Sequence, residues 1–285
     1  MNRPLRTSAP NPPMLAGALV KIPLPGRAGE LDGFWHPGQR RQDTLLIYVH
    51  GMWSNFYRSA LKWTSLRMAP EFGMDGLSFN NRGSGHATAA ERFSHSLSDL
   101  ESVRRWARKL GYRRMVWIGH STGCQKAVHY LARRKPADAA ALVLLAPADD
   151  LAIVRRDGGA RYASLVRMAR GLADGPDADR PDARLNGFSP RRFLSIALPE
   201  SAEARLFDYD GRMTAFASLR LPILAAFGTR EQYACRPVRE MGEILGARCR
   251  SEDFEFHLVT GGDHSFHGRE ELTMRRVMEW IARHL

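Results

Sequence analysis

The sequence predicts an α/β fold: a mostly parallel central sheet flanked by helices, with a helical segment inserted between the sixth and seventh strands. Three observations predict it. Short β-like runs alternate with amphipathic helical runs through most of the chain. At one junction, Met115-Val116-Trp117-Ile118 leads into Gly119-His120-Ser121-Thr122-Gly123 and then a helix-like run from Cys124 to Leu131. The chain must leave a strand, pass a strained residue and enter a helix within a few positions, so only glycines fit beside that serine. Finally, residues 149–219 separate two core strands by a length too great for a plain connection.

Along the chain, residues 15–24 and Glu30–His36 read as a first hairpin, and Thr44–Val49 as a buried strand. Residues 74–79 form the next strand. Residues 97–110 carry Leu97, Leu100, Val103, Trp106 and Leu110 at a spacing of three and four, which predicts a helix that Ser96 or Ser98 would cap. Residues 115–118 lead into the serine turn, and Ala139–Leu145 is a further strand. Strands at 221–227 and Phe254–Val259 follow the long gap, and a helix from Glu270 to His284 ends the chain. The expected organisation is a disordered lead-in over residues 1–14, a core of 15–148 and 220–285, and a cap from the helical fragments of 149–219. That insertion is broken at Asp174-Gly175-Pro176-Asp177 and Asn186-Gly187.

The chain has 285 residues, 44% of them hydrophobic, enough for a substantial core, and a single domain is expected. The longest apolar stretch, from Ala139 to Pro147, is far too short to cross a bilayer, and the first residues lack the apolar centre of a signal peptide. Cys124, Cys235 and Cys249 are odd in number and have no C-x-x-C spacing, which suits reduced thiols in a cytoplasmic protein. The formal net charge is +12, and only five of the 42 basic residues are lysine. No basic run is interleaved with aromatics and no helix-turn-helix or zinc-finger spacing occurs, so nucleic acid is not an expected partner. Nor is a membrane. The arginines read as solvated helix faces.

Ser121 is the nucleophile candidate. An alcohol that attacks an acyl carbonyl needs a base, a group to orient the base, and donors for the developing oxyanion. In the α/β-hydrolase arrangement, which this serine turn resembles, the chain order is nucleophile, acid, histidine. His264, in the loop between the last strand and the last helix, is the base candidate, with His267 as rival and His257 as a structural residue. Glu231 is the carboxylate in the loop after strand 221–227. Asp149 and Asp150, after the Ala139–Leu145 strand, are the alternative acids. The oxyanion donors are the backbone N–H of Thr122, directly after the nucleophile, and of Met52, in the His50-Gly51-Met52-Trp53 turn. Trp53, Phe56, Asn81 and Arg82 are substrate-pocket candidates. The Gly-rich turn of residues 80–85 lacks the spacing of a phosphate-binding loop, and no cluster has zinc spacing, so neither metal nor cofactor is expected.

Together these residues resemble the α/β-hydrolase superfamily of serine hydrolases from about residue 15 onward. Gly119-His120-Ser121-Thr122-Gly123-Cys124-Gln125 is similar, more narrowly, to the fungal and plant family that includes siderophore-ester hydrolases. Ala146-Pro147-Ala148-Asp149-Asp150 resembles that family's turn after the sixth strand. Arg192-Phe193-Leu194-Ser195 and Phe207-Asp208-Tyr209-Asp210 resemble a segment near the end of its cap. The resemblance implies Ser121 as nucleophile and His264 as base. At the acid the chain departs: the family favours aspartate, glutamate, tyrosine where Glu231, Gln232 and Tyr233 stand. The expected activity is hydrolysis of a carboxylic ester, or of a thioester or amide, on a small-molecule acyl substrate, with siderophore or secondary-metabolite processing as an analogy. Acyl transfer or cyclisation by the same residues, and a catalytically weak scaffold that binds a small ligand, remain as alternatives.

Overall fold

The structure, a computed structural model, describes residues 15–26, 28–40, 42–85 and 89–285. The lead-in expected over residues 1–14 lies outside these. Eight strands form one sheet: β1 (Ala18–Pro23), β2 (Glu30–His36), β3 (Thr44–Val49), β4 (Asp75–Phe79), β5 (Arg114–His120), β6 (Ala139–Leu145), β7 (Ile223–Gly228) and β8 (Phe254–Val259). Their order is β1-β2-β4-β3-β5-β6-β7-β8. β1 and β2 form the expected antiparallel hairpin, β2 also runs antiparallel to β4, and all remaining pairs are parallel. β3 and β4 are buried at every position, as strands covered on both faces must be.

Helices cover the sheet. α1 (Ala60–Met68) packs on the terminal helix, and α2 (Ser96–Lys109) packs on α3 (Thr122–Arg134). Four helices fill the segment between β6 and β7: α4 (Asp150–Gly158), α5 (Tyr162–Leu172), α6 (Pro190–Ala197) and the short α7 (Thr214–Ala217). α8 (Val238–Arg248) and α9 (Glu270–His284) complete the chain. Two local expectations change. Neither Ser96 nor Ser98 caps α2: a 3-10 turn over Phe93–His95 runs directly into it, and the Ser98 hydroxyl donates back to His95 O at 3.0 Å. β7 starts at Ile223 because Pro222, which has no N–H, contributes only a carbonyl, accepting from Leu142 N–H at 2.9 Å.

The segment between β6 and β7 has a small apolar core of its own. Val154, Leu165, Ala169, Leu185, Phe188, Phe193, Ile196 and Ala197 pack there with Ala89. Charge fixes it to the sheet domain. Arg192, fully buried on α6, pairs with Glu203 and stands 3.9 Å from Glu91, which in turn pairs with Lys126 of α3 at 2.7 Å. Both of these buried cations are balanced by a carboxylate, the condition under which an ion pair survives in an interior. Removing one partner leaves an uncompensated charge. Arg192→Met is therefore expected to cost about 3–5 kcal/mol, read as a lower urea midpoint, whereas Arg192→Met with Glu203→Leu should recover most of that loss.

Candidate active site

Ser121 sits between β5 and α3 with φ 55° and ψ −131°, a conformation that a side-chain-bearing residue rarely adopts. Three glycines make the turn possible. A Cβ on Gly119 would lie 2.6 Å from the Cys124 backbone, and one on Gly123 only 2.0 Å from Val49 O. A Cβ on Gly51 would meet Ser121 Cβ at 2.8 Å, so the loop leaving β3 passes directly against the serine. Ser121 N–H donates to Leu145 O at 2.9 Å, and Cys124 N–H to Ser121 O at 2.8 Å. Thr122 begins α3, so its N–H has no carbonyl one turn back within the helix.

The loop after β3 is held from below. Lys126 Nζ donates to His50 O at 3.0 Å, and Lys62 Nζ donates to the carbonyls of Asn55 and Arg58. The His50 ring donates from Nδ1 to Gly51 O at 2.7 Å and accepts at Nε2 from Asn81 N–H at 3.3 Å. Burial, with Lys126 and Lys62 nearby, pushes His50 well below the ordinary histidine value. It is a neutral brace for the Gly51-Met52 segment.

His264 lies opposite. Its Nδ1–H donates to both oxygens of Glu231, at 2.9 and 3.0 Å, and the Glu231 side chain is almost sealed from solvent. In a neutral ring this leaves Nε2 as the nitrogen with the lone pair. Further groups fix the residue. The Gln232 side-chain oxygen accepts from His264 N–H at 3.0 Å, and His120 Nε2–H donates to His264 O at 2.8 Å. The Tyr233 ring meets the imidazole edge-on at 4.7 Å. Burial, then the His264 ring, pushes His120 down to about 3, so it too is uncharged. The two loops are laced together. Arg230 N–H donates to Gly262 O at 2.8 Å, and a Cβ on Gly228 would lie 2.2 Å from that same carbonyl.

Ser121, His120 and His264 share a cavity of about 630 Å³ with Gly51, Met52 and Trp53. That size accommodates a small organic molecule. Asp150, Ile153, Val154, Leu165, Phe193 and Ile196 form the wall contributed by α4, α5 and α6. Of the four pocket candidates the cavity takes only Trp53, whose ring packs on Phe188 at 4.7 Å. The other three are corrected, since they lie outside its lining. The Phe56 ring meets Tyr57 at 5.7 Å, the Asn81 side chain meets His50 Nε2 at 3.3 Å, and Arg82 turns to Asp99 at 2.7 Å and to Ser98. The alternative acids do not hold His264 either. Asp149 caps α4 through Ala152 N–H at 2.9 Å and also accepts from Tyr209 N–H, while Asp150 accepts from Gln125 Nε2 at 2.7 Å. His267 pairs with Asp263 and His257 with Glu255, away from Glu231. Sequence reasoning assigned no role to His120 or Gln232, although the first lies in the serine motif and the second directly follows the acid. No group of three or more His, Cys, Asp or Glu among the described residues could hold a metal ion, and none of the helices there is long and apolar enough to cross a membrane.

A model of the alpha/beta hydrolase family matches residues 46–276. No curated protein matches the sequence. Among solved structures the chain is similar to a soluble variant of monoglyceride lipase from Saccharomyces cerevisiae in complex with a substrate analog, with 14% identity, 97% of this chain and 99% of that one covered, and a TM-score of 0.71. It is similar also to the siderophore hydrolase EstB from Aspergillus fumigatus, with 17% identity, coverage of 95% and 98%, and a TM-score of 0.71. A third likeness is to a highly thermostable carboxyl esterase from Bacillus coagulans, with 11% identity, coverage of 95% and 99%, and a TM-score of 0.68. At these identities the likeness is one of fold. The family match spans the sheet from β3 to the last helix, with the serine turn and both loops that meet at His264 inside it, and the chain belongs to the alpha/beta hydrolase family.

Proposed function

We propose that the chain is a serine hydrolase that cleaves a carboxylic ester through an acyl group carried on Ser121. One observation carries this reading: an imidazole held at Nδ1 by a buried carboxylate lines the same cavity as a serine on a strained strand-to-helix turn. His264 Nε2 takes the Ser121 proton, and the alkoxide attacks the ester carbonyl. Glu231 fixes the ring through Nδ1 and stabilises the imidazolium that forms. The N–H groups of Met52 and Thr122 receive the negative charge that develops on the carbonyl oxygen. His264 returns its proton to the leaving alcohol, and water then repeats the sequence to free the acid.

The helices between β6 and β7 act as the cap, giving the cavity its apolar wall. Esters are favoured over thioesters and amides because the three similar structures are named as lipase, siderophore hydrolase and carboxyl esterase. An ester with a siderophore-like or secondary-metabolite origin follows from the second of these and from the motif around Ser121. The partner is a small molecule, and chemistry proceeds on protein side chains alone. Free Cys124, Cys235 and Cys249 suit a cytoplasmic setting.

A fluorophosphonate probe should label the wild-type protein and not Ser121→Ala; equal labelling of the two removes Ser121 from the mechanism. Glu231→Gln should lower kcat for p-nitrophenyl esters roughly a thousandfold or more, because the amide cannot stabilise the imidazolium and disturbs the tautomer. Asp149→Asn should lower it less than tenfold, because the amide oxygen still caps α4 and only the second acceptor, used by Tyr209 N–H, is lost, at about 1 kcal/mol. The reverse ranking would move the acid to the end of β6.

A further inference from the structure

The wall formed by α4 carries a carboxyl group that neither catalysis nor the cap's attachment uses. Asp150, Ile153, Val154, Asp157 and Gly158 all line the cavity, the i, i+3, i+4, i+7 spacing of one helix face. Asp150 is at the start of α4 and 94% of it is withdrawn from solvent, its relative exposure being 6%. One of its oxygens accepts from Gln125 Nε2 at 2.7 Å. The other has no protein partner among the described residues. Gln125 is in the first turns of α3, just beyond Ser121, and Asp150 and Ser121 line the same cavity.

The surrounding charges do not neutralise it. Lys126 is matched by Glu91 and Arg192 by Glu203, and Asp150 forms no ion pair among the described residues. Three carboxylates thus share two cations, and Asp150 is the one left over. The amino end of α4 favours a negative charge, but only within its first turn. Burial opposes it more strongly, and Glu203 and Asp149 add repulsion, while Arg192 and Gln125 work the other way; the net direction is upward, well above the ordinary carboxylate value. With no cation matched to it, burial favours the protonated form, in which the group at the cavity wall can donate.

His264 must return its proton to the leaving oxygen, so the leaving alcohol lies against His264. Asp150, Ile153 and Val154 of α4 line the same cavity as Ser121 and His264. We propose that the acyl chain lies along this face of α4, and that Asp150 determines acyl specificity by donating a hydrogen bond to an oxygen substituent, a hydroxyl, keto or ether group, a few atoms from the ester carbonyl, with an apolar chain over Ile153 and Val154 beyond it. This rests on the ester-hydrolase reading and names its substrate class.

The test compares a p-nitrophenyl ester of a straight-chain acid with that of its β-hydroxy counterpart, as a ratio of kcat/KM within each protein sample. The ratio is independent of the fraction of protein folded. The wild type should favour the β-hydroxy ester about tenfold, the size of one hydrogen bond to a buried partner. Asp150→Ala should bring the ratio to about one, and Asp150→Asn, which keeps an N–H donor, should retain most of the preference. A wild type without preference, an Asp150→Ala ratio equal to the wild type's, or a collapsed ratio in Asp150→Asn would overturn the proposal. Turnover of the plain ester alone separates this failure from that of the underlying reading; if neither ester is cleaved, the ester-hydrolase reading goes, and this one with it.

Discussion

The site depends on how closely three backbone segments approach one another at Ser121. The end of β5, the start of α3 and the loop leaving β3 converge there, and at each approach the position is a glycine whose Cβ would lie within 3.0 Å of its neighbour. Holding a non-glycine residue in such backbone territory costs about 1–3 kcal/mol, and it persists only when the surroundings over-determine it. Here they do: β6 accepts from the serine's own N–H, and α3 begins immediately beyond. The strain lifts the hydroxyl clear of the sheet and sets it beside the free N–H groups of the first helical turn. The same crowding brings Gly51 against the serine, with Met52 lining the cavity beside it, so the proposed nucleophile and oxyanion donors are positioned by one packing arrangement.

The second half of the site follows from strand pairing. β7 and β8 run in parallel register with Gly228 opposite Val259, so their exit loops leave the same edge side by side. Glu231 stands three residues past one strand end and His264 five past the other. A glutamate reaches one methylene further than an aspartate and has one more torsion to fix. Its Oε1 accepts from Tyr233 N–H at 3.0 Å as well as from His264, which removes much of that freedom. Gln232 and His120 then hold the two backbone groups of His264, so the ring is fixed through its peptide as well as its side chain.

This division explains what could be read from the residues alone. The alternation of runs, the glycines around Ser121 and the loop positions of Glu231 and His264 are local or topological facts, and a parallel sheet converts loop position into spatial proximity. Which carboxylate turns toward His264 is a matter of side-chain direction. Asp149 occupies an equivalent strand end but is engaged by the first turn of α4, a competition that spacing does not reveal. The same applies to Phe56, Asn81 and Arg82. Their loops lie at the sheet edge that carries Ser121, but a buried histidine needed a donor at Nε2, and a buried Asp99 needed a cation. The Asn81 and Arg82 side chains serve those needs instead of the cavity.

The charges buried under the α4–α7 segment connect these features. Lys126 holds the His50 carbonyl of the loop leaving β3 and pairs with Glu91, which stands near Arg192 of α6. An apolar contact of the same volume would match or exceed such pairs in stability, so stability alone does not account for them. What ion pairs supply is geometry, since a hydrogen-bonded cation tolerates little displacement, whereas apolar surfaces slide. The wall carrying Asp150, Ile153 and Val154 is thereby tied to the chain that presents Met52. For the reaction proposed above, a cavity wall in fixed relation to Met52 and Thr122 can discriminate between acyl chains in the transition state, where contacts alter rate as well as binding. The surplus carboxylate in this network is then intelligible: a charge-balanced set would hold the wall equally well, and the unmatched acid faces the one side where no protein group meets it.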